Sequence, residues 1–473
     1  MLSSHARTAG AALFAYAALG TGAAFADTHT LQQALAAAYA SNPTLLAFRA
    51  QLRATDENVP AALSGWRPTL VFNGTAGITA TKTRTVTKIN GFYSNTNSEV
   101  PGDYGQTGAT ATLTQPLYSG GKVKANTSRA ENQVLSTRAQ LMATEEQVFS
   151  DTVNAYVSVV QDEQLLGYDI SNEQILTKQL QATNDRFRVG ELTRTDVAQA
   201  EAALASATAT RQTAEGTLEA ARATYEQLVG EPPGKLVQPQ PLRAPVNTLE
   251  EAKALSGRNN PNVVAALFAD SAAKDAFDVA YSALMPTLAL QASAFHTQNQ
   301  STAGAITTGG VVNLNLTVPI FQGGSEYAAI RQARQQEQQA RKQLEEQQRT
   351  AIQQAASAWE QVAAARAAII SGRAAVRANE ISVEGVEREA LVGSATTLDV
   401  LTAVQNLLNS ETALVQSLAQ LVTSSYTLAS AVGRLTAHDL NLQVPLYDEK
   451  AYYTAVHDLW VGTGDFATDQ PGR

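Results

Sequence analysis

The chain has 473 residues, with 34 basic against 43 acidic side chains, a net charge of -9 and no cysteine. An acidic balance excludes generic nucleic-acid binding, which needs a basic footprint to neutralise phosphates. The missing cysteine excludes disulfides, thiolate metal sites, a cysteine nucleophile and a lipidated N-terminal cysteine. With 44% hydrophobic but only 6% aromatic residues, the composition suits long helices packed on small side chains, not a compact enzyme with an aromatic core.

Residues 1–26 read as a secretory signal: Arg7 precedes an apolar run over 9–18, and Ala24-Phe25-Ala26 offers a cleavage site before Asp27. No later apolar stretch approaches the roughly 18–20 residues of a spanning helix. The mature chain is therefore expected to be periplasmic, secreted, or inserted as a β-barrel.

From there the chain is written twice. Leu113-Thr114-Gln115-Pro116-Leu117-Tyr118-Ser119-Gly120-Gly121 aligns with Leu316-Thr317-Val318-Pro319-Ile320-Phe321-Gln322-Gly323-Gly324. Val189-Gly190, Asp196-Val197 and Leu228-Val229-Gly230 find partners at the same offset in Val392-Gly393, Asp399-Val400 and Ala431-Val432-Gly433. Nearer each start, Asn42-Pro43 and Pro68-Thr69-Leu70 match Asn260-Pro261 and Pro286-Thr287-Leu288. Two repeats, 27–230 and 247–439, are thus predicted, joined by a linker over 231–246 whose five prolines forbid helix. A tail over 440–473 follows, expected to gather with the linker as an equatorial belt.

Each repeat opens with a helix, 31–62 or 249–283. A β-hairpin follows, 66–120 or 284–322. Val312, Leu314, Leu316, Val318 and Ile320 alternate with Asn313, Asn315 and Thr317, and Leu70, Phe72, Gly74, Ala76 and Ile78 oppose Thr69, Asn73 and Thr75. That is the period of two of strands apolar on one face only, suited to a membrane barrel with a wet lumen. Phe72 and Phe295 read as lipid-facing, Tyr118 and Phe321 as an interfacial girdle, and the loop segment 82–103, rich in threonine, asparagine and glycine, as an external hairpin tip.

After each Gly-Gly comes a proline-free run, 122–188 or 325–391, long enough for roughly 100 Å of helix. Leu135, Met142, Phe149 and Tyr156 repeat every seven residues, as do Val362, Ile369, Val376 and Val383, and then Val400, Leu407, Leu414, Leu421 and Leu428. Such heptads specify helices packed side by side. The opening and closing helices of a repeat together match the length of its long helix, so each repeat is expected to form two columns of equal height, one continuous and one spliced.

Four strands cannot close on themselves, and open edges are costly in hydrocarbon. Copies of the chain must complete the barrel. Three give twelve strands and twelve helical columns on one cylinder. The expected fold is mainly α with a membrane β-barrel, a trimeric 12-stranded β-barrel continued by a 12-helix α-barrel.

The duplication, the Pro-x-x-x-Gly-Gly exits and the turns around Val189-Gly190 and Val392-Gly393 together resemble the TolC family of outer-membrane export channels over nearly the whole mature chain. The resemblance implies a homotrimer in outer-membrane lipid that joins an inner-membrane RND or ABC transporter and a periplasmic adaptor to the cell exterior. It serves drug efflux and type I protein secretion. Lacking an acylatable cysteine, the chain looks more like the unlipidated branch. The resemblance makes Val189, Gly190, Thr195, Val392 and Gly393 the adaptor-touching tip, and places Asp399 at the narrow entrance, where symmetry would bring three carboxylates together and raise their pKa. Asp196 combines a gating reading with a helix-capping one. The family's tyrosine and arginine flanking the second Val-Gly are replaced by Ala390 and Ala395, so closure is assigned to charges nearby: Arg188, Arg194, Arg388 and Glu191.

Scattered histidines and the absence of nucleophile or phosphate-loop motifs argue against an enzyme, a metal or a cofactor. The rival reading is a non-conducting coiled-coil rod or surface adhesin, which explains the heptads but not the alternating strands at matching places in both repeats. Which substrate is exported is not written in these residues.

Overall fold

The computed structural model describes residues 30–79, 82–99, 104–300, 304–464 and 466; the signal segment 1–26 lies outside them. The first repeat opens with α1 (Leu31–Ser41), α2 (Pro43–Asp56) and α3 (Asn58–Leu63). Strands β1 (Thr69–Thr79), β2 (Lys82–Ile89), β3 (Phe92–Glu99) and β4 (Tyr104–Tyr118) lead into α4 (Lys122–Arg188) and α5 (Arg194–Val229). The second repeat has α6 (Leu249–Asn259), α7 (Pro261–Tyr281), β5 (Thr287–Gln298), β6 (Ile306–Thr317), α8 (Ser325–Leu391) and α9 (Thr397–Ala431), and α10 (Ala451–Val456) lies in the tail. Among the described residues no helix is long and apolar enough to cross a membrane.

The opening helices are not continuous as the sequence suggested: both break at an Asn-Pro pair. Proline at the first helical position lacks the N–H that would carry the preceding helix through. The break is what makes the spliced column. Asn42 caps α2, its Oδ1 accepting from the Thr44 and Leu45 amides at 3.0 and 3.4 Å, while its Nδ2 donates to the Leu228 carbonyl at the end of α5 at 3.0 Å. Asn260 repeats the device: Oδ1 accepts from the Asn262 amide at 3.0 Å and Nδ2 donates to the Ala431 carbonyl of α9 at 3.2 Å. One side chain thus satisfies an orphan donor of the upper helix and an orphan acceptor of the lower one.

Helix α4 packs on α2 and α3 above and α5 below along one flank, and on α7 above and α9 below along the other; α8 packs on α7 and α9. The wall therefore has four columns in the order α5 with α2–α3, then α4, then α9 with α7, then α8. The sheet has the order β1-β4-β5-β6, all pairs antiparallel. Each strand is joined in the chain to the column in the same place, so strands and helices form one continuous wall.

Register gives the sheet two unlike faces. Leu70, Leu113, Ala292 and Val312 lie in one cross-strand row and Phe72, Ala111, Ala294 and Gly310 in the next. The opposite face carries rows such as Thr69, Thr114, Gln291 and Asn313. Phe295 belongs to this polar face, in a row with Asn73, Thr110 and Gly309, not to the apolar face of Phe72. Its ring lies over Gly309, where a Cβ would come within 2.9 Å of it, so the aromatic covers a residue with no side chain of its own. Within the hairpin tip expected over 82–103, β2 and β3 pair through a turn at Asn90-Gly91, both with positive φ, the backbone that an Asn-Gly hairpin turn requires.

The main core sits at mid-height, where α1 packs on α4 and α5. Leu35, Leu45, Phe149, Tyr156, Tyr225 and Leu435 are fully or almost fully buried there. The proline-rich linker is held to it by the Tyr156 hydroxyl, which donates to the Val237 carbonyl at 2.7 Å. Of the expected heptad positions, Phe149, Tyr156, Val362, Ile369, Val400 and Leu428 are buried, whereas Met142 is 42% exposed.

Candidate functional site

The two shaft tips are built alike. Helix α4 ends in a Schellman turn: Gly190 takes φ +84°, its amide donates to the Phe187 carbonyl at 3.0 Å, and the Glu191 amide donates to the Arg186 carbonyl at 2.9 Å. Helix α8 ends the same way, with Gly393 at φ +80°, its amide on the Ala390 carbonyl at 3.3 Å and the Ser394 amide on the Glu389 carbonyl at 2.9 Å. A left-handed residue reverses the chain at the least cost when it is glycine. The returning helices start with capping boxes, Thr193 with Asp196 and Thr396 with Asp399.

These boxes define the chemistry of the two aspartates. Asp196 Oδ2 accepts from the Thr193 hydroxyl at 2.6 Å and its amide at 2.9 Å; Asp399 Oδ2 accepts from the Thr396 hydroxyl at 2.7 Å and its amide at 2.8 Å. The hydroxyl bonds first, then the amide bonds, hold both carboxyls below the usual carboxylate range. Within one chain the shift is thus downward, opposite to that expected of a crowded ring, and both groups stay anionic.

The charges around the tips sort by reach. Arg188 pairs with Asp185 at 2.5 Å and Arg388 with Glu384, each within its own helix. Such exposed pairs contribute little. Arg186 reaches farther: its Nε donates to Glu191 at 3.0 Å, and its Nη1 lies 3.5 Å from the Ala390 carbonyl at the other tip. Around these charges Val189, Leu391 and Val392 are 72%, 84% and 80% exposed. Thr195 lies exposed in the first turn of α5, beside Arg194.

Higher on the shaft, a second set of titratable groups fastens the end of α9 and the segment that follows it. Glu146 accepts from the Leu435 amide at 3.3 Å and the Ser430 hydroxyl at 3.2 Å, and Glu145 accepts from the Ala437 amide at 2.6 Å. Burial pushes the Glu146 carboxyl up to about 8 and raises that of Glu145. Asp56 is fully buried, neither of its oxygens takes a hydrogen bond, and burial pushes it up to about 7 against the opposing pull of Arg138 and Arg53.

A family model described as outer membrane efflux protein matches residues 34–231 and 254–434. The chain belongs to the outer membrane efflux protein family. It is 35% identical over 440 residues to outer membrane efflux protein BepC of Brucella suis, covering 92% of each chain. It is 26% identical over 439 residues to outer membrane protein TolC of Vibrio cholerae, covering 90% of this chain and 96% of that one. Among solved structures, VceC from Vibrio cholerae superposes with a TM-score of 0.71 at 21% identity, over 85% of this chain and 96% of that one. The outer-membrane channel OprN does so with 0.72 at 19% identity, over 85% and 89%.

Of the residues expected at the tip, Val189, Gly190, Val392 and Gly393 lie on the two turns at the end of the shaft far from the sheet, and Thr195 opens the helix that follows the first turn. Arg186 and the Glu145-Glu146 pair escape sequence reasoning. The only signal for Arg186 is a cation four residues before a helix-ending glycine, which is also what the macrodipole favours.

Proposed function

We propose that three copies of this chain form an outer-membrane channel-tunnel that exports small molecules, proteins or both. In this reading it receives them from an inner-membrane RND or ABC pump and a periplasmic adaptor, and its helical tips gate entry. The observation that carries this reading is the match of strand order to column order with both flanks left open. Strands β1 and β6 each pair on one side only, and the apolar row Val312, Leu314 and Leu316 on β6 is 62–70% exposed. On the same flank, Ile370 and Ile381 of α8 stand 73% and 66% exposed. A neighbouring copy that extends the sheet from β6 to its own β1 brings its α5 column against α8, so the same symmetry closes barrel and shaft. A plain rod or adhesin leaves the two-faced sheet without a use.

The tips supply the gate. Exposed Val189, Leu391 and Val392, with Gly190 and Gly393 turning between helices, offer an apolar surface to the adaptor, and Thr195 borders it. Asp196 and Asp399, anionic in their capping boxes, line the mouth with Arg188 and Arg194 beside them. Arg186 ties one tip to the other through the Ala390 carbonyl, in place of a side chain that Ala390 and Ala395 do not have.

Purified protein in a planar bilayer is expected to give discrete channels and a trimeric mass in detergent. A stable monomer without conductance would sink the reading. Arg186→Ala is expected to raise single-channel conductance or open probability by roughly 2–5-fold, the shift that loss of a tie worth about 1 kcal/mol allows. Arg188→Ala, which removes only a pair within one helix, is expected to change it less. Equal effects would remove Arg186 from the gate.

A further inference from the structure

The tail does not stay at mid-height. It climbs the first spliced column: the Tyr447 amide donates to the Tyr39 hydroxyl at 3.0 Å, the Tyr452 hydroxyl to Glu57 at 2.8 Å, and Tyr453 packs on the cluster of Val59, Ala130 and Val134 under the Arg138 guanidinium. Its last fastening is at the foot of the barrel. Arg67, two residues before β1, donates from Nη1 to the Leu459 carbonyl at 2.7 Å and lays its guanidinium 4.9 Å from the centre of the Trp460 ring. At this level the aromatic Trp460 is 63% exposed and Val461 is 86% exposed, although the tail below them is packed down.

The surroundings say what would cover them. Trp66, Tyr118 and Phe321, at the feet of β1, β4 and β6, are 41%, 47% and 79% exposed. They mark the level at which an apolar strand face gives way to a polar shaft. Amphipathic rings collect at such a boundary because the ring favours the acyl edge and the polar edge favours headgroups. Arg67 holds the Trp460 ring by a cation–π contact. Asp458, whose side chain is 92% exposed, sets the watery limit of the short apolar run Leu459-Trp460-Val461. The chain has no cysteine that an acyl chain would modify, so a periplasmic anchor must be made of side chains.

We propose that Trp460 and Val461 form an interfacial anchor that seats the tail in the inner leaflet of the outer membrane. This rests on the barrel reading and adds to it: the segment pins the tail, and through Arg67 the foot of β1, to a phospholipid surface.

The chain has three tryptophans, Trp66, Trp359 and Trp460, so Trp66→Phe with Trp359→Phe leaves Trp460 as the only one. In phosphatidylethanolamine liposomes its emission is expected to fall about 2-fold or more with lipids brominated near the headgroup, and less with lipids brominated at the chain ends, as an interfacial ring requires. Quenching by acrylamide alone places the ring in water and overturns the anchor. Resistance to both quenchers places it against a neighbouring copy and overturns it equally. Conductance is measured in the same preparation: channels without bromolipid quenching sink only the anchor, whereas no channels sink the barrel reading. Should the double variant not assemble, 5-fluorotryptophan in the otherwise unaltered chain, assigned with Trp460→Phe, gives the same readout from paramagnetic lipids.

Discussion

Asn260→Ala is expected to destabilise the shaft by about 2–4 kcal/mol, and Asn42→Ala by a similar amount, because each removes a helix cap and a bridging donor together. The two side chains are only 5% and 4% exposed, so water does not replace what they supply. Loss of Asn260 leaves the Ala431 carbonyl without its 3.2 Å donor and the Asn262 amide without its 3.0 Å acceptor. Serine separates the two contributions. Asn260→Ser keeps a capping oxygen but cannot span the joint, so it should lose roughly half as much. Thermal unfolding followed by helical circular dichroism reads the order Asn, Ser, Ala, and faster amide exchange at the C-terminal ends of α5 and α9 locates it. If alanine at either position lowers stability by less than about 0.5 kcal/mol, the joint is held by packing alone.

The joint also shows how far a sequence of this kind is legible. The two 67-residue helices and the alternating strands are local or periodic signals, and both are present in the structure. Asn42-Pro43 and Asn260-Pro261 were visible as matching anchors, yet were placed inside single helices, because the reason for the break lies in the ends of α5 and α9, some 170–190 residues away. Phe295 shares the parity of Gln291 and Ser293, which assigns it to the polar face whatever its aromatic character suggests. Arg186 differs in kind. Its partner on the other tip is 204 positions away, and nothing local distinguishes it from Arg188. Glu145 and Glu146 look like solvated charges on a long helix, and only the end of α9 and the segment after it, folded over them, make them buried ones.

That burial leads to the second large effect, a stability that falls as pH rises. Glu146 has its carboxyl raised to about 8 from an ordinary value of 4.5, and Asp56 to about 7 from 3.8. For a group raised in the folded state, the stabilising contribution is complete below the unfolded value and is lost as pH climbs through the folded one. Glu146 therefore weakens the attachment of the segment after α9 between about pH 4.5 and 8, and Asp56 lowers stability between about 3.8 and 7, each by on the order of a few kcal/mol at most. The neighbours act in the same direction for Glu146, since Glu145 and Asp439 both repel its charge. Around Asp56, Arg138 and Arg53 oppose the rise while Glu57 and Glu449 add to it. Glu146→Gln keeps the shape and an acceptor for the Leu435 amide but cannot ionise. It should match the parent protein at pH 5, melt higher at pH 8.5, and flatten the slope between them. Asp56→Asn should flatten only the lower part of the range. Proteolysis of the tail, timed at pH 5 and pH 8.5, should follow the same order. A parent protein whose melting temperature rises from pH 5 to 8.5, or a glutamine variant with the parent slope, would show that Glu146 is ionised in its buried site and that the Leu435 and Ser430 bonds outweigh its desolvation.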